Sequence, residues 1–133
     1  GRSLLAVHGS PRAFTDGMVA ELTNDEVRTQ LSGISADVIA GGHTHVQLLR
    51  RVGSQLIVNV GSVGCPFAEV FRGPPPTILP WAEYAVISGT ETGISVDLRR
   101  VSFDTQALIN TILDSTMPHA QEWAEQWQHS RTA

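Results

Sequence analysis

Apolar positions in this 133-residue chain gather into short runs separated by glycine, proline and small polar residues. Leu4 to Val7 is such a run, stopped by His8-Gly9-Ser10-Pro11, and it predicts a short buried strand followed by a loop to about Leu22. Thr23 with Glu26 three residues on is a capping box, so a helix should begin at Asn24. Val27, Leu31 and Ile34 fall on one face of it, and Gly33 should end it. Strands are expected over 37–40, 46–52 and 55–60, the last two joined by a Gly53-Ser54 turn. Residues 65–80 read as irregular, with Gly73-Pro74-Pro75-Pro76 a stiff exposed loop.

Two further strands, 81–88 and 94–103, flank a turn at 90–93, and Ile94, Val96, Leu98 and Arg100 share a face. Asp104 can cap a helix running through Leu113. Pro118 should open a last helix, on which Trp123 and Trp127 stand at i, i+4 as core or interface packing. The order β, α, β, β, β, β, β, α, α describes an α/β (α+β) chain with a sheet at least partly antiparallel.

Composition narrows the class. With 41% apolar and 17% charged residues, one globular domain is expected over 1–133. A net charge of −4 gives no nucleic-acid-binding signature, and all nine basic residues are arginine. No apolar run approaches the roughly 20 residues that span a bilayer. One cysteine, Cys65, permits no internal disulfide and fits a cytoplasmic chain. It reads as a small core residue or a pocket-lining one.

The chemistry-bearing residues sit where the apolar runs end. His8, His43 and His45 each follow a predicted strand and abut glycine or a small residue, whereas His119 and His129 lie in the polar C-terminal helix. In extended backbone His43 and His45 would project to one side. Gly41 and Gly42 would remove side chains beside them and allow positive φ. Imidazoles so placed are surface turn residues or ligands for a transition metal such as Mn, Fe, Ni, Zn or Co, not Mg or Ca.

The joint pattern decides between them. "LLAVHGSPR" resembles the fourth metal motif of the calcineurin-like metallophosphoesterase superfamily, "ADVIAGGHTH" its final Gly-His-x-His motif, and "LIVNVGSVGCP" the Asn-Pro-Gly-Ser-Val-Gly segment that follows. Val60 stands where that family usually has proline. With "WAEYAVI…GISVDLRRVSFD", the whole chain is similar to the small bacterial and archaeal phosphodiesterases of that superfamily.

The resemblance implies the C-terminal half of a four-layer α/β/β/α sandwich with mixed sheets. It implies two divalent transition-metal ions (Mn, Fe, Ni or Zn), with His8 and His43 on one and His45 on the other. Arg12, Asn59 and Ser62 would lie near a phosphate-ester substrate, Arg12 as a forked phosphate contact or a solvated loop residue.

The family's Asp-x-His, Gly-Asp and Gly-Asn-His motifs occur nowhere in these 133 residues. The bridging carboxylate and the general acid are therefore expected in a missing N-terminal half, and the metal site is incomplete in this chain. On this reading the chain alone is inactive and partners the missing half, or a second copy with or without a segment swap. The alternative is a non-catalytic protein-binding scaffold on the same fold, as the family's retromer-type member is. A truncated product without function is the third expectation.

Overall fold

The computed structural model describes residues 1–73 and 75–130. Among these residues nine elements follow in the expected order: β1 (Leu4–Ala6), α1 (Asn24–Gln30), β2 (Val38–Gly41), β3 (Leu48–Val52), β4 (Gln55–Asn59), β5 (Trp81–Gly89), β6 (Ile94–Ser102), α2 (Thr105–Leu113) and α3 (Ala120–Ser130). None of the described helices is long and apolar enough to cross a membrane.

β1, β2 and β4 run parallel and β3 antiparallel to β4, in the order β1-β2-β4-β3. β5 and β6 form a separate antiparallel ribbon. This is the mixed α/β arrangement that the strand pattern suggested. The β3–β4 hairpin turns at Gly53, whose φ of 60° only glycine adopts without strain.

α1 begins where its capping box says. Thr23 accepts from the Glu26 amide while the Glu26 carboxylate accepts from Thr23, which satisfies donors that a helix start leaves unpaired. Its inner face carries Val27, followed by Leu31, against Met18, Ile39, Val52 and Ile57, and these six form the first core. A second core joins Ile78, Ile109, Ala124 and Trp127, so α2 and α3 close over the 65–80 segment.

Four expectations need correction. β1 is not a buried strand: Leu4 is 52% exposed, because among the described residues β1 pairs with β2 alone and stands at the sheet's edge. β3 begins at Leu48, since Gln47 has left the ladder and its amide donates to the Val60, Tyr84 and Arg99 carbonyls, bridging the two sheets. Pro118 does not open α3; His119 intervenes with a left-handed φ of 59° and the helix starts at Ala120. The tryptophan pair divides, Trp127 being 2% and Trp123 39% exposed. In the Gly-Pro loop, Gly73 and Pro75 are exposed, and Pro74 lies outside the described residues.

Candidate functional site

Parallel pairing sets the ends of β1, β2 and β4 side by side. Ala6 pairs with Ala40 and Gly41 with Asn59, so the residues just beyond each strand meet at one sheet edge. The Gly42 amide donates to the His8 carbonyl at 2.9 Å, which extends the β1–β2 ladder as far as the first histidine. Close approach here depends on glycine: a Cβ on Gly41 would come to 2.7 Å of Met18 Cε and 3.0 Å of the Gly9 carbonyl.

His8 Nε2 and His43 Nδ1 lie 3.1 Å apart. The His8 ring is also stacked on Phe14, with centroids 4.2 Å apart. His43 and His45 are not in extended backbone, as their spacing suggested. Both are left-handed, at φ 61° and 59°, while Gly41 and Gly42 are not. Left-handed non-glycine residues cost free energy, and they persist where the surrounding structure holds them.

Asn59 is the holder. It is fully buried at the end of β4; its amide nitrogen donates to the Gly42 carbonyl and to Thr44 Oγ1, both at 2.7 Å. Its carbonyl accepts from the Gly61 amide at 3.0 Å. One side chain thereby fixes the turn on either side of His43.

His45 takes different partners. Its Nδ1 is 2.8 Å from the Cys65 carbonyl, and its ring lies 4.8 Å from that of Phe67. A carbonyl oxygen can only accept, so Nδ1 carries the proton. In the neutral ring the lone pair is then on Nε2, the tautomer of a metal-ligating imidazole oriented by a backbone oxygen.

The remaining candidates are placed as follows. Arg12 donates through Nε to Asp16 at 2.7 Å, and Ser10 Oγ donates to the same carboxylate. These bonds hold Asp16 below the usual carboxylate range and raise Arg12. Arg12 lines a shallow groove with Glu26 and Gln30, apart from the cavity beside His43. Ser62 Oγ accepts from the Cys65 amide at 3.0 Å, in the turn that carries the His45 acceptor. Cys65 is half-buried against the second core, and burial pushes its thiol up, away from the reactive thiolate.

Whether a cation fits can be judged from the nitrogens. Two imidazoles on one ion, each with a bond of about 2.0–2.1 Å, stand about 3.3–3.4 Å apart at a tetrahedral angle and about 2.8–3.0 Å apart at a right angle. The His8–His43 separation of 3.1 Å lies between those two values and is also the length of an N–H···N hydrogen bond, which joins the two rings while no ion is shared. Two nitrogens are an incomplete donor set, however, and among the described residues no group of three or more His, Cys, Asp or Glu side chains converges.

A cavity of about 610 Å³ opens beside His43, lined also by Phe67, Phe71, Arg72 and Trp123. Nothing in the sequence signalled it beyond the i, i+4 tryptophan pair, which had suggested packing alone. Phe14 was likewise silent, an isolated aromatic in a polar loop.

Residues 1–77 match the family model of the calcineurin-like phosphoesterase superfamily domain. The fold superposes on a metallophosphoesterase from Sphaerobacter thermophilus with a TM-score of 0.65 at 19% identity, covering 96% of this chain and 56% of that one. It also superposes on a hypothetical protein from Pyrococcus horikoshii OT3 with a TM-score of 0.67 at 16% identity, covering 96% and 45%. At these identities the likeness is one of fold. The chain spans about half the length of both structures. No curated protein matches it.

Proposed function

The chain belongs to the calcineurin-like phosphoesterase superfamily, and from that premise we propose that it supplies histidine ligands to a metal-dependent phosphoesterase, acting on phosphodiesters. The observation that carries this reading is the His8–His43 pair, two nitrogens 3.1 Å apart at the ends of adjacent parallel strands. His8 and His43 would hold one divalent transition metal (Mn, Fe, Ni or Zn) and His45, through Nε2, a second. Such ions, when bound, make water a strong nucleophile near neutral pH and offset the charge of a phosphoryl group.

The chain's own residues orient and hold. Asn59 fixes the turn that aims His43, the Cys65 carbonyl fixes the His45 tautomer, and Ser62 fixes the Cys65 turn. Phe14 stacks on one face of His8 and so orients that ring. Arg12 remains a candidate phosphate contact if its guanidinium engages substrate beyond the Asp16 pair. Carboxylate ligands and a general acid would come from outside these residues, from a further segment or from a second copy. Placement in the cytoplasm belongs to the same proposal.

The test is metal content together with hydrolysis. Equilibrium dialysis of the complete protein against Mn²⁺ or Zn²⁺, read by mass spectrometry, should show binding that His8→Ala and His43→Ala each weaken by about tenfold or more. The complete metal-loaded protein should hydrolyse bis(p-nitrophenyl) phosphate. Binding unaffected by both substitutions, or no hydrolysis by that protein, sinks the reading.

A second reading, a non-catalytic protein-binding scaffold, holds if the complete protein also brings no three ligating side chains together, as is the case among the described residues. Full-length protein that carries no metal and hydrolyses nothing would select it.

A further inference from the structure

α3 carries two tryptophans one turn apart, and the fold treats them oppositely. Trp127 is 2% exposed in the second core, whereas Trp123 is 39% exposed. Trp123 lines the cavity beside His43. Phe71, which lines the same cavity, is 59% exposed. Large aromatic side chains left open around one concavity mark a site that takes an apolar or planar ligand.

The cavity is continuous with the histidines. His43 is part of its wall, and Phe67, another wall residue, lies 4.8 Å from the His45 ring. Its charge is equally informative. Besides His43, Arg72 is the only ionisable residue lining it among those described, and Arg72 is paired with Glu21 at 3.2 Å. A second phosphate or a carboxylate entering here would compete with Glu21 for the one arginine in the lining. A neutral flat ring would meet three aromatic rings and the amide-bearing Gln126.

We propose that this cavity takes a flat, uncharged aromatic ring carried on the ester group of the substrate, stacked on Trp123 and Phe71. The substrate class is then ring-bearing phosphate esters, nucleotide or aryl, and excludes sugar phosphates and phosphorylated aliphatic side chains. This inference rests on the phosphoesterase reading for the position of the phosphate at the histidines. Ring binding itself needs no metal.

Ligand-observed NMR titrations of the complete protein, in the presence of a chelator, test it with four probes: AMP, phenyl phosphate, ribose 5-phosphate and inorganic phosphate. AMP and phenyl phosphate should bind at least about fivefold more tightly than ribose 5-phosphate, and Trp123→Ala should weaken AMP by about fivefold or more, the lower end of what one stacked ring contributes. Phe71→Ala should weaken AMP in the same direction. Because Phe71 stands on an exposed loop, that variant keeps the test valid should Trp123→Ala disturb α3. AMP above phenyl phosphate would point to a nucleobase, and equal binding to any aromatic ring; both support the proposal.

Ribose 5-phosphate binding as tightly as AMP overturns it, and so does AMP binding unchanged in both variants. Hydrolysis of bis(p-nitrophenyl) phosphate by the complete metal-loaded protein separates the two claims. Hydrolysis without ring preference removes the ring site alone. Ring preference without hydrolysis removes the phosphoesterase reading alone.

Discussion

β1 and β2 have nearly the same sequence logic and opposite surroundings. Each is a short apolar run that ends in glycine and histidine, and each delivers one imidazole nitrogen to the same point, His8 Nε2 against His43 Nδ1. β2 lies between β1 and β4, so Val38 and Ile39 are buried, Ile39 completely. Among the described residues β1 has a neighbour on one side only, and Leu4 is 52% exposed. An apolar run therefore shows that a strand exists, while its neighbours decide whether it is core. The histidine pair joins a rigid strand end to a loosely covered one.

The largest effect that can break this contrast is at Ile39. Ile39→Ala should destabilise the chain by about 2–5 kcal/mol in urea denaturation, the transfer term plus a cavity that packed neighbours cannot fill. A loss under about 1 kcal/mol would mean that the β2 face relaxes freely and that the core is not where the structure puts it.

Next in size is Asn59, which ties the end of β4 to the turn after β2. Asn59→Ala leaves the Gly42 carbonyl, Thr44 Oγ1 and the Gly61 amide without this partner. A cost of about 1–3 kcal/mol follows from burying polar groups unpaired. His43 should also lose its left-handed hold, so its ring resonances in NMR should broaden or shift while those of His129 stay in place. An unchanged His43 spectrum would remove Asn59 from the positioning role.

How far the sequence reveals these features depends on how local each one is. The start of α1 was legible because its capping box spans four adjacent residues. The histidine-bearing strand ends were legible because each apolar run stops at glycine. The exposure of β1 was not, since it depends on which strands pair, and parallel pairing links residues 34 apart, as with Leu4 and Val38. The left-handed φ of His43 and His45 was also hidden: an Asn59 amide far along the chain holds the turn around His43, and a Cys65 carbonyl holds the His45 ring. The open setting of Trp123 is hidden for the same reason, because its surroundings come from the loop that carries Phe71 and Arg72.

On the β1 side a matching truncation should do little. Leu4→Ala removes a half-exposed side chain from an edge strand and should cost about 0.5 kcal/mol or less, the usual range for surface substitutions. A cost comparable to that of Ile39→Ala in the isolated chain would show that another surface covers β1 in solution, through self-association. Sedimentation at several concentrations would then show a dimer that Leu4→Ala weakens.

The smallest effect is a change of slope with pH, at the clamp that fastens the start of β1 to β2. Asp37 accepts from the Ser3 amide and hydroxyl at 2.8 and 2.9 Å, and from Arg2 at 3.2 Å. These bonds, the Ser3 amide first, hold its carboxyl below the ordinary value of 3.8. A carboxylate depressed on folding contributes stability that is present above the unfolded value and lost as pH falls through the folded one. The clamp is thus intact at neutral pH and fails only below 3.8. Asp16, Glu21 and Glu26 are depressed too, so the parent chain should lose stability in acid on several accounts. Asp37→Asn should leave that acid limb in place but make it shallower, in urea midpoints measured from about pH 5 down to about pH 2.5. It should also speed hydrogen exchange at the Val38 amide, which donates to the Ser3 carbonyl at 3.1 Å. Parallel acid limbs in the two proteins would show that Asp37 has the same proton affinity folded and unfolded, and that β1 is held by its ladder alone.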